Sequence, residues 1–363
     1  MDFGLSQEQR LLEQSLKRFL AERLPMDERR RIAETGAGFD QGLWSGLVEM
    51  GIPGLLVPED FGGTGLSILD AAVAAEALGY GAAPATFAAS SVMAPLALQR
   101  LGSEAQRQTF LPRIAAGGAR FAVAIGHLAG EADAPKIALR RSRLDGGVQG
   151  ALDAGGATHL LVWLPDGRAA IVAMDAPGVA VALRPSVDRT RPLAGVAFRG
   201  AEAEVLGAGS PREAALAVLD AGRIMLAADT LGAGQRMLDD AVAYAAERVQ
   251  FGRPVGSFQA VKHMCAEMVS MLEPCRSLVW YAAYAQDAKL EDRRSVACHA
   301  KAHLAEVGRE VARTATEVHG GMGFTDILGL HFWFKRITFD RQVLGGPERC
   351  RHEAALAQGW VPA

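Results

Sequence analysis

FAVAIG (121–126), THLLVWLP (158–165), RAAIVAM (168–174), GVAVALRP (178–185) and GVAFRG (195–200) follow one another in the middle of the chain. Apolar residues run together or alternate in each, and Pro, Gly and Asp separate them. Such runs predict strands of a compact antiparallel unit. Upstream the period changes to that of helices. Ser6 and Gln9 have capping-box spacing, and Leu11, Leu12, Leu16, Phe19 and Leu20 repeat at helical intervals. Further helices are expected near 41–50, 68–78, 87–101 and 104–116, with GIPGLLVPEDFGGTGLS (51–67) as a Gly/Pro-rich break. Downstream, GSPREAALAVL (209–219) places Ser210 as an N-cap, Pro211 at the first helical position and Glu213 in a capping box. Long helices follow over 211–248, 257–286 and 293–319, with a final pair beyond Phe324. The expectation is an α+β protein with segregated layers: an N-terminal helical domain over 1–118, a middle β domain over 119–209 and a C-terminal helical bundle over 210–363. Val261, Met264, Met268 and Leu272 form an apolar face expected at a subunit interface.

Half of the 363 residues are hydrophobic, 22% are charged and the net charge is −3, which are ordinary values for a globular protein. They give no basic field for nucleic acid or an anionic membrane. No apolar run is long enough to span a bilayer, and MDFGLSQEQRLLEQ (1–14) lacks a signal peptide's apolar core. Cys265, Cys275, Cys298 and Cys350 make neither a disulfide scaffold nor a Cys-x-x-Cys pair. A cytoplasmic protein with reduced thiols is expected.

Few constellations carry chemistry. Gly62-Gly63-Thr64-Gly65 and Gly320-Gly321-Met322-Gly323 could bring backbone close to a phosphate, but neither follows a strand in a βαβ unit, and tight turns are the preferred reading. ERVQFGRPVGSFQ (247–259) puts Arg248 at a helix end, then a turn, then a helix capped by Ser257. That arrangement serves as a pyrophosphate clamp or simply as a basic C-cap. His299 and His303 lie four apart beside Cys298 without a third ligand, so no metal site is expected.

The chain resembles the acyl-CoA dehydrogenase family from end to end. The resemblance is carried by residues 5–12, by GIPGLLVPEDFGGTGLS, by LGSEAQRQTFLPRIAAG (101–117), by residues 220–223, by AAERVQFGRPVGSFQ (245–259) and by EVHGGMGFT (317–325), all in the family's order. It implies a helical N-terminal domain, a middle antiparallel β-barrel domain and a C-terminal four-helix bundle. It also implies FAD, an acyl-CoA substrate, electron-transfer flavoprotein as electron acceptor, and a dimer or dimer of dimers. In that family one subunit holds the flavin ring and its neighbour contacts the ADP portion.

The departures sort by side. Arg248, Phe251, Gln259, Gly320, Gly321 and Gly323 match the half that reaches into a neighbour's FAD, although Glu317 stands where the family usually has Gln. The flavin-contacting Thr-Glu-Pro…Gly-Ser-Asp stretch reads AVAIGHLAGEADA (122–134), and GVQGALDAGGATHLLV (147–162) has no Trp. The two positions that carry the family's catalytic Glu are Gly345 and Gly222. The N-terminal half is most similar to small subunits of hetero-oligomeric members that act on steroid side-chain or pimeloyl-type acyl-CoAs. The resemblance therefore implies an α2β2 assembly in which a partner carries the Glu. Two alternatives remain: a homomeric flavoenzyme using Glu348, His319 or Glu317 as base, and a non-catalytic acyl-CoA-binding or scaffold subunit.

Overall fold

The computed structural model describes residues 4–130 and 136–362. The first block contains α1 (Gln7–Arg23), α2 (Met26–Thr35), α3 (Gln41–Glu49), α4 (Ile68–Tyr80), α5 (Ala94–Leu101) and α6 (Glu104–Ala115). The expected box at Ser6 is present: its hydroxyl accepts from the Gln9 N–H, and the Gln9 side chain accepts from the Ser6 N–H. Ser67 and Ser103 cap α4 and α6 in the same way. Residues 88–93 form a wide turn ahead of α5. The expected run 87–101 is therefore helical but not one uniform α-helix. Helix α2 was not expected. Its only buried apolar residues are Ile32 and Ala33, and Arg29 anchors it. The Arg29 guanidinium donates to Gly81 O at 2.8 Å and Leu24 O at 3.1 Å, and lies 4.8 Å from the Trp333 ring.

The middle block forms two four-stranded sheets. Strands β1 (Phe121–Ala124), β4 (His159–Trp163), β5 (Ala169–Ala173) and β8 (Glu204–Leu206) make one, in the order β1-β4-β5-β8. Strands β2 (Lys136–Arg140), β3 (Arg143–Ala151), β6 (Val179–Arg184) and β7 (Leu193–Glu202) make the other, in the order β2-β3-β7-β6. Pairing is antiparallel except between β1 and β4, which run parallel with Phe121 opposite His159. The continuous apolar runs of β1, β4 and β5 reflect burial on both faces. Ala122, Leu160 and Val162 face Val148, Val196 and Phe198 of the second sheet, while Phe121, Leu161 and Trp163 face α5 and α6.

The third block contains α7 (Pro211–Glu247), a hairpin of β9 (Val249–Gln250) and β10 (Arg253–Pro254), α8 (Gln259–Asp287), α9 (Arg293–Val318), α10 (His331–Gln342) and α11 (Pro347–Ala357). Two expected caps are corrected. Ser210 is the N-cap of α7 but makes no side-chain cap bond, because its ψ of 107° departs from the 164–169° of the three serines that form boxes. Helix α8 starts after Phe258, not Ser257, whose hydroxyl lies buried in a short turn without a hydrogen bond. Met268 and Leu272 lie in the chain's own core, with Val261 and Met264 packed against it. That face is internal, so it gives no support to a subunit interface. Helix α4 crosses α7 at backbone contact: a Cβ on Gly79 would lie 2.1 Å from Asp229 O, and one on Gly232 would lie 1.8 Å from Glu76 O. The first and third blocks consequently share one hydrophobic core.

A buried ionic network ties the middle block to the rest. Arg191 pairs with Asp153 and Asp340 at 3.0 Å each. Arg336 pairs with Asp188 and with Asp229, and donates to Thr190 Oγ1 and Ala83 O. Burial and then the charge of Asp229 push Asp340 well above the usual carboxylate range.

Candidate functional site

A cleft of about 480 Å³ opens between the middle block and the α10–α11 connection. Its walls include His127, Ala129 and Gln149 from the β side, and Gln342, Gly345 and Arg349 from the helical side. The connection turns through two left-handed residues, Leu344 at φ 61° and Gly345 at φ 97°. L residues rarely take a φ near +97°. A Cβ on Gly345 would also lie 3.1 Å from Arg223 Nη2 and 3.3 Å from Ala129 O. Gly222, on α7, is crowded differently: its Cβ would lie 2.6 Å from Leu344 Cδ1 and 2.9 Å from Met93 Sδ.

Behind Gly345 lies Arg223, fully buried. Its Nε donates to Leu344 O at 2.9 Å, and its Nη1 donates to Glu353 Oε2 at 2.7 Å and reaches Cys298 Sγ at 3.2 Å. Glu353 also accepts from Arg294 at 2.6 Å and Arg349 at 2.7 Å. Burial alone would push the Glu353 carboxyl up, but the Arg223 hydrogen bond and the surrounding guanidiniums bring it below its ordinary value. A carboxylate held this way is a poor proton acceptor.

A second cluster lies where α7 ends. Arg248 is its C-cap and is exposed. The hairpin that follows turns at Phe251 and Gly252, with φ of 54° and 76°. It presents Phe251 92% exposed, in edge contact with Phe258 at 6.2 Å. Gln259 is the first residue of α8 and is exposed. At the end of α9, Gly320 and Gly321 have nothing within 4 Å of an added Cβ, while Gly323 packs on Thr316 O. Glu317 is bonded to Arg313 at 2.5 Å. His319 is buried, its ring tilted against that of Tyr244 at 4.6 Å and its Nδ1 bonded to Ala315 O at 2.7 Å.

Tyr244 and Arg223 stand roughly twenty residues apart on one continuous helix, which is about 30 Å. Glu317 and His319 are therefore remote from Gly345. Glu348, in the first turn of α11, is 77% exposed and 3.6 Å from Arg341. Gly62-Gly63-Thr64-Gly65 is a packed turn, since a Cβ on Gly63 would lie 2.0 Å from Val57 O. His299 bonds to Gln358 at 3.1 Å. Sequence reasoning missed the Arg223–Glu353–Arg294 cluster. Only the family match at 220–223 pointed to its first member.

The family model described as "Acyl-CoA dehydrogenase, N-terminal domain" matches residues 6–118, and "Acyl-CoA dehydrogenase, C-terminal domain" matches residues 212–354. The chain belongs to the acyl-CoA dehydrogenase family. Acyl-CoA dehydrogenase IpdE2 of Mycolicibacterium smegmatis is 28% identical over 94% of this chain and 96% of its own length. The ChsE4–ChsE5 complex from Mycobacterium tuberculosis contains a chain 26% identical, covering 100% of both chains with a TM-score of 0.90. A steroid acyl-CoA dehydrogenase, Tcur3481–Tcur3483 in its G363A variant, is 28% identical over 97% of this chain and 98% of that one, with a TM-score of 0.88.

Acyl-CoA dehydrogenases are FAD-dependent flavoproteins. The two clusters differ in how they suit that cofactor. The far end of α7 offers an exposed guanidinium, an exposed ring and open glycine backbone, which suit a pyrophosphate and its nucleotide. The cleft at Gly345 is lined by Gly126 and His127 from the segment after β1, and β3 carries no Trp. The remainder of the AVAIGHLAGEADA stretch, from Glu131 onward, lies outside the described residues. The far end of α7 thus carries groups that suit the ADP end of FAD, and the described residues that line the cleft include no Thr, Ser or Trp. Among the described residues no helix is long and apolar enough to cross a membrane.

Proposed function

We propose that this chain is the subunit without a catalytic base in an α2β2 acyl-CoA dehydrogenase that desaturates an acyl-CoA between its α and β carbons. The observation that carries the reading is Gly345: it has no side chain to bear a carboxylate, and its φ of 97° is one that L residues rarely adopt. At the alternative position, Gly222, the space beside the backbone is filled by Leu344 and Met93. Desaturation removes a proton from the α carbon as hydride leaves the β carbon, so it needs a carboxylate within reach of that proton. The partner supplies the carboxylate, and bound FAD supplies the hydride acceptor. Arg248, Phe251, Gln259 and the Gly320–Gly321 backbone of this chain hold the ADP portion, while Glu317 stays neutralised by Arg313. A bulky acyl-CoA of the steroid side-chain class is the proposed substrate, electron-transfer flavoprotein the acceptor, and the cytoplasm the compartment. No observation favours the homomeric reading, because Glu348 points to solvent, Glu353 is held by guanidiniums, and Glu317 and His319 lie at the other end of α7.

The test is co-expression with the partner chain and an assay of α,β-desaturation with an artificial electron acceptor. Removing the partner's Glu should lower turnover by roughly a hundred- to ten-thousand-fold. Gly345→Glu in this chain should not restore it. Activity that survives loss of the partner's Glu would overturn the reading.

A further inference from the structure

We propose that the cleft at Gly345 is a binding site for a small carboxylate, anchored by Arg223 and His127. The inference rests on the reading that this cleft has no base of its own. It adds that the vacated place is occupied by a ligand rather than left empty.

The first observation is an orphaned charge. Among the described residues Arg223 Nη2, which is buried, has no hydrogen-bond partner, although the Nε and Nη1 of the same guanidinium are satisfied. A buried ionic donor without an acceptor is costly, and proteins rarely leave one unpaired. The second is its direction. Nη2 faces the side of Gly345 where a Cβ would be, 3.1 Å from that point. Arg223 itself is fully buried, and with glycine at 345 no side chain stands between its guanidinium and the cleft. Ala129 O, 3.3 Å from the same point, is an acceptor that a ligand oxygen must avoid and a protonated or amide group would prefer. A carboxylate thus enters with one oxygen on Nη2 and the other turned toward the cleft.

The third observation is a second orphan on the opposite wall. His127 Nε2 is buried without a partner among the described residues, and the residue lines the same cleft. Burial lowers the pKa of this imidazole, so near neutral pH it is the uncharged ring and donates one N–H. The fourth is the charge balance around Arg223. Arg223, Arg294 and Arg349 face two carboxylates, Asp220 and Glu353. Burial pushes the neighbouring Cys298 thiol up to about 12, so it adds no negative charge. Among the described residues the cluster is one anion short. A carboxylate satisfies Nη2 with a charge-assisted bond and accepts from His127, as a planar two-oxygen acceptor does.

The experiment measures binding without turnover. Carboxyl-¹³C-labelled succinate is titrated into the purified complex and followed by NMR, with inorganic phosphate as the second arm. The expected result is saturable binding of one succinate per copy of this chain. Gly345→Ala, which closes the approach, and His127→Ala, which removes the opposite donor, should each weaken binding at least tenfold. Arg140→Ala, on the exposed strand β2, should leave it unchanged. Circular dichroism and complex size checked alongside keep a folding failure from being read as lost binding. Absence of saturable binding, or binding indifferent to both cleft variants, would overturn the proposal. So would phosphate binding tighter than succinate and displacing it. Because no turnover is read, these outcomes are independent of whether the partner's Glu proves essential.

Discussion

At the residue scale, two arginines carry the argument and differ in environment. Arg248 is exposed at a helix C-terminus, where a basic residue contributes little to the fold. Arg248→Ala should therefore leave thermal unfolding within about 0.5 kcal/mol of the parent. It should lower the flavin content of the assembled complex, read from the ratio of flavin to protein absorbance. Unchanged flavin occupancy would remove Arg248 from the cofactor site. Arg223 is buried among Glu353, Leu344 and Cys298, and its surroundings, not its type, give it a role. The glycine at 345 was legible as a missing carboxylate only through the family register. That its backbone is left-handed, and that a guanidinium stands behind it, could not be read from the letters around it.

Among the elements, strand β4 carries a pH-sensitive group. His159 stands opposite Phe121 of β1, with the rings stacked at 5.2 Å, and meets the edge of Phe110 at 5.5 Å. Burial, aided by the charge of Arg113, lowers its pKa to about 4. The unfolded chain binds this proton near the ordinary value of about 6.5, so acid favours unfolding. The contribution of His159 is thus complete above pH about 6.5 and is lost as pH falls toward about 4, by on the order of 2 kcal/mol. Denaturant unfolding from pH 7 to pH 4 should show this loss, and His159→Phe should flatten it; a profile unchanged by the substitution would refute the assignment. Elements also show where local signals ended. Helix α2 is held by Arg29 contacts to distant carbonyls rather than by an apolar stripe. The β2–β3 hairpin turns at Arg141 and Ser142, with φ of 47° and 62°, where Gly or Asn usually marks such a turn.

The whole molecule is joined through Arg336. Its guanidinium reaches Ala83 in the first block, Asp188 and Thr190 in the second, and Asp229 in the third. Arg336→Met leaves two buried carboxylates without this partner, and the expected loss is about 3–5 kcal/mol, seen as a lower denaturation midpoint. A loss below about 1 kcal/mol would mean that Arg191 and water carry the network. Phe251 after α7, and Phe324 and Ile327 after α9, are exposed apolar residues that the proposed assembly would cover.

The sequence by itself determined the order helices, strands, helices, because hydrophobic period and Ser-headed capping boxes are local signals. Residues 121–124, 159–163 and 169–173 became strands where their apolar runs stand, and α7, α8 and α9 ended within two residues of their expected limits. Tertiary structure alone decided which charges meet. Arg223 reaches Glu353 across 130 positions and Arg336 reaches Asp188 across 148. No local pattern marks such pairs, since burial creates the demand for a partner and the fold supplies whichever group is near. The same reason separates Glu317 and His319 from Gly345: they fall close in sequence, but a single long helix holds their surroundings at opposite ends of the bundle.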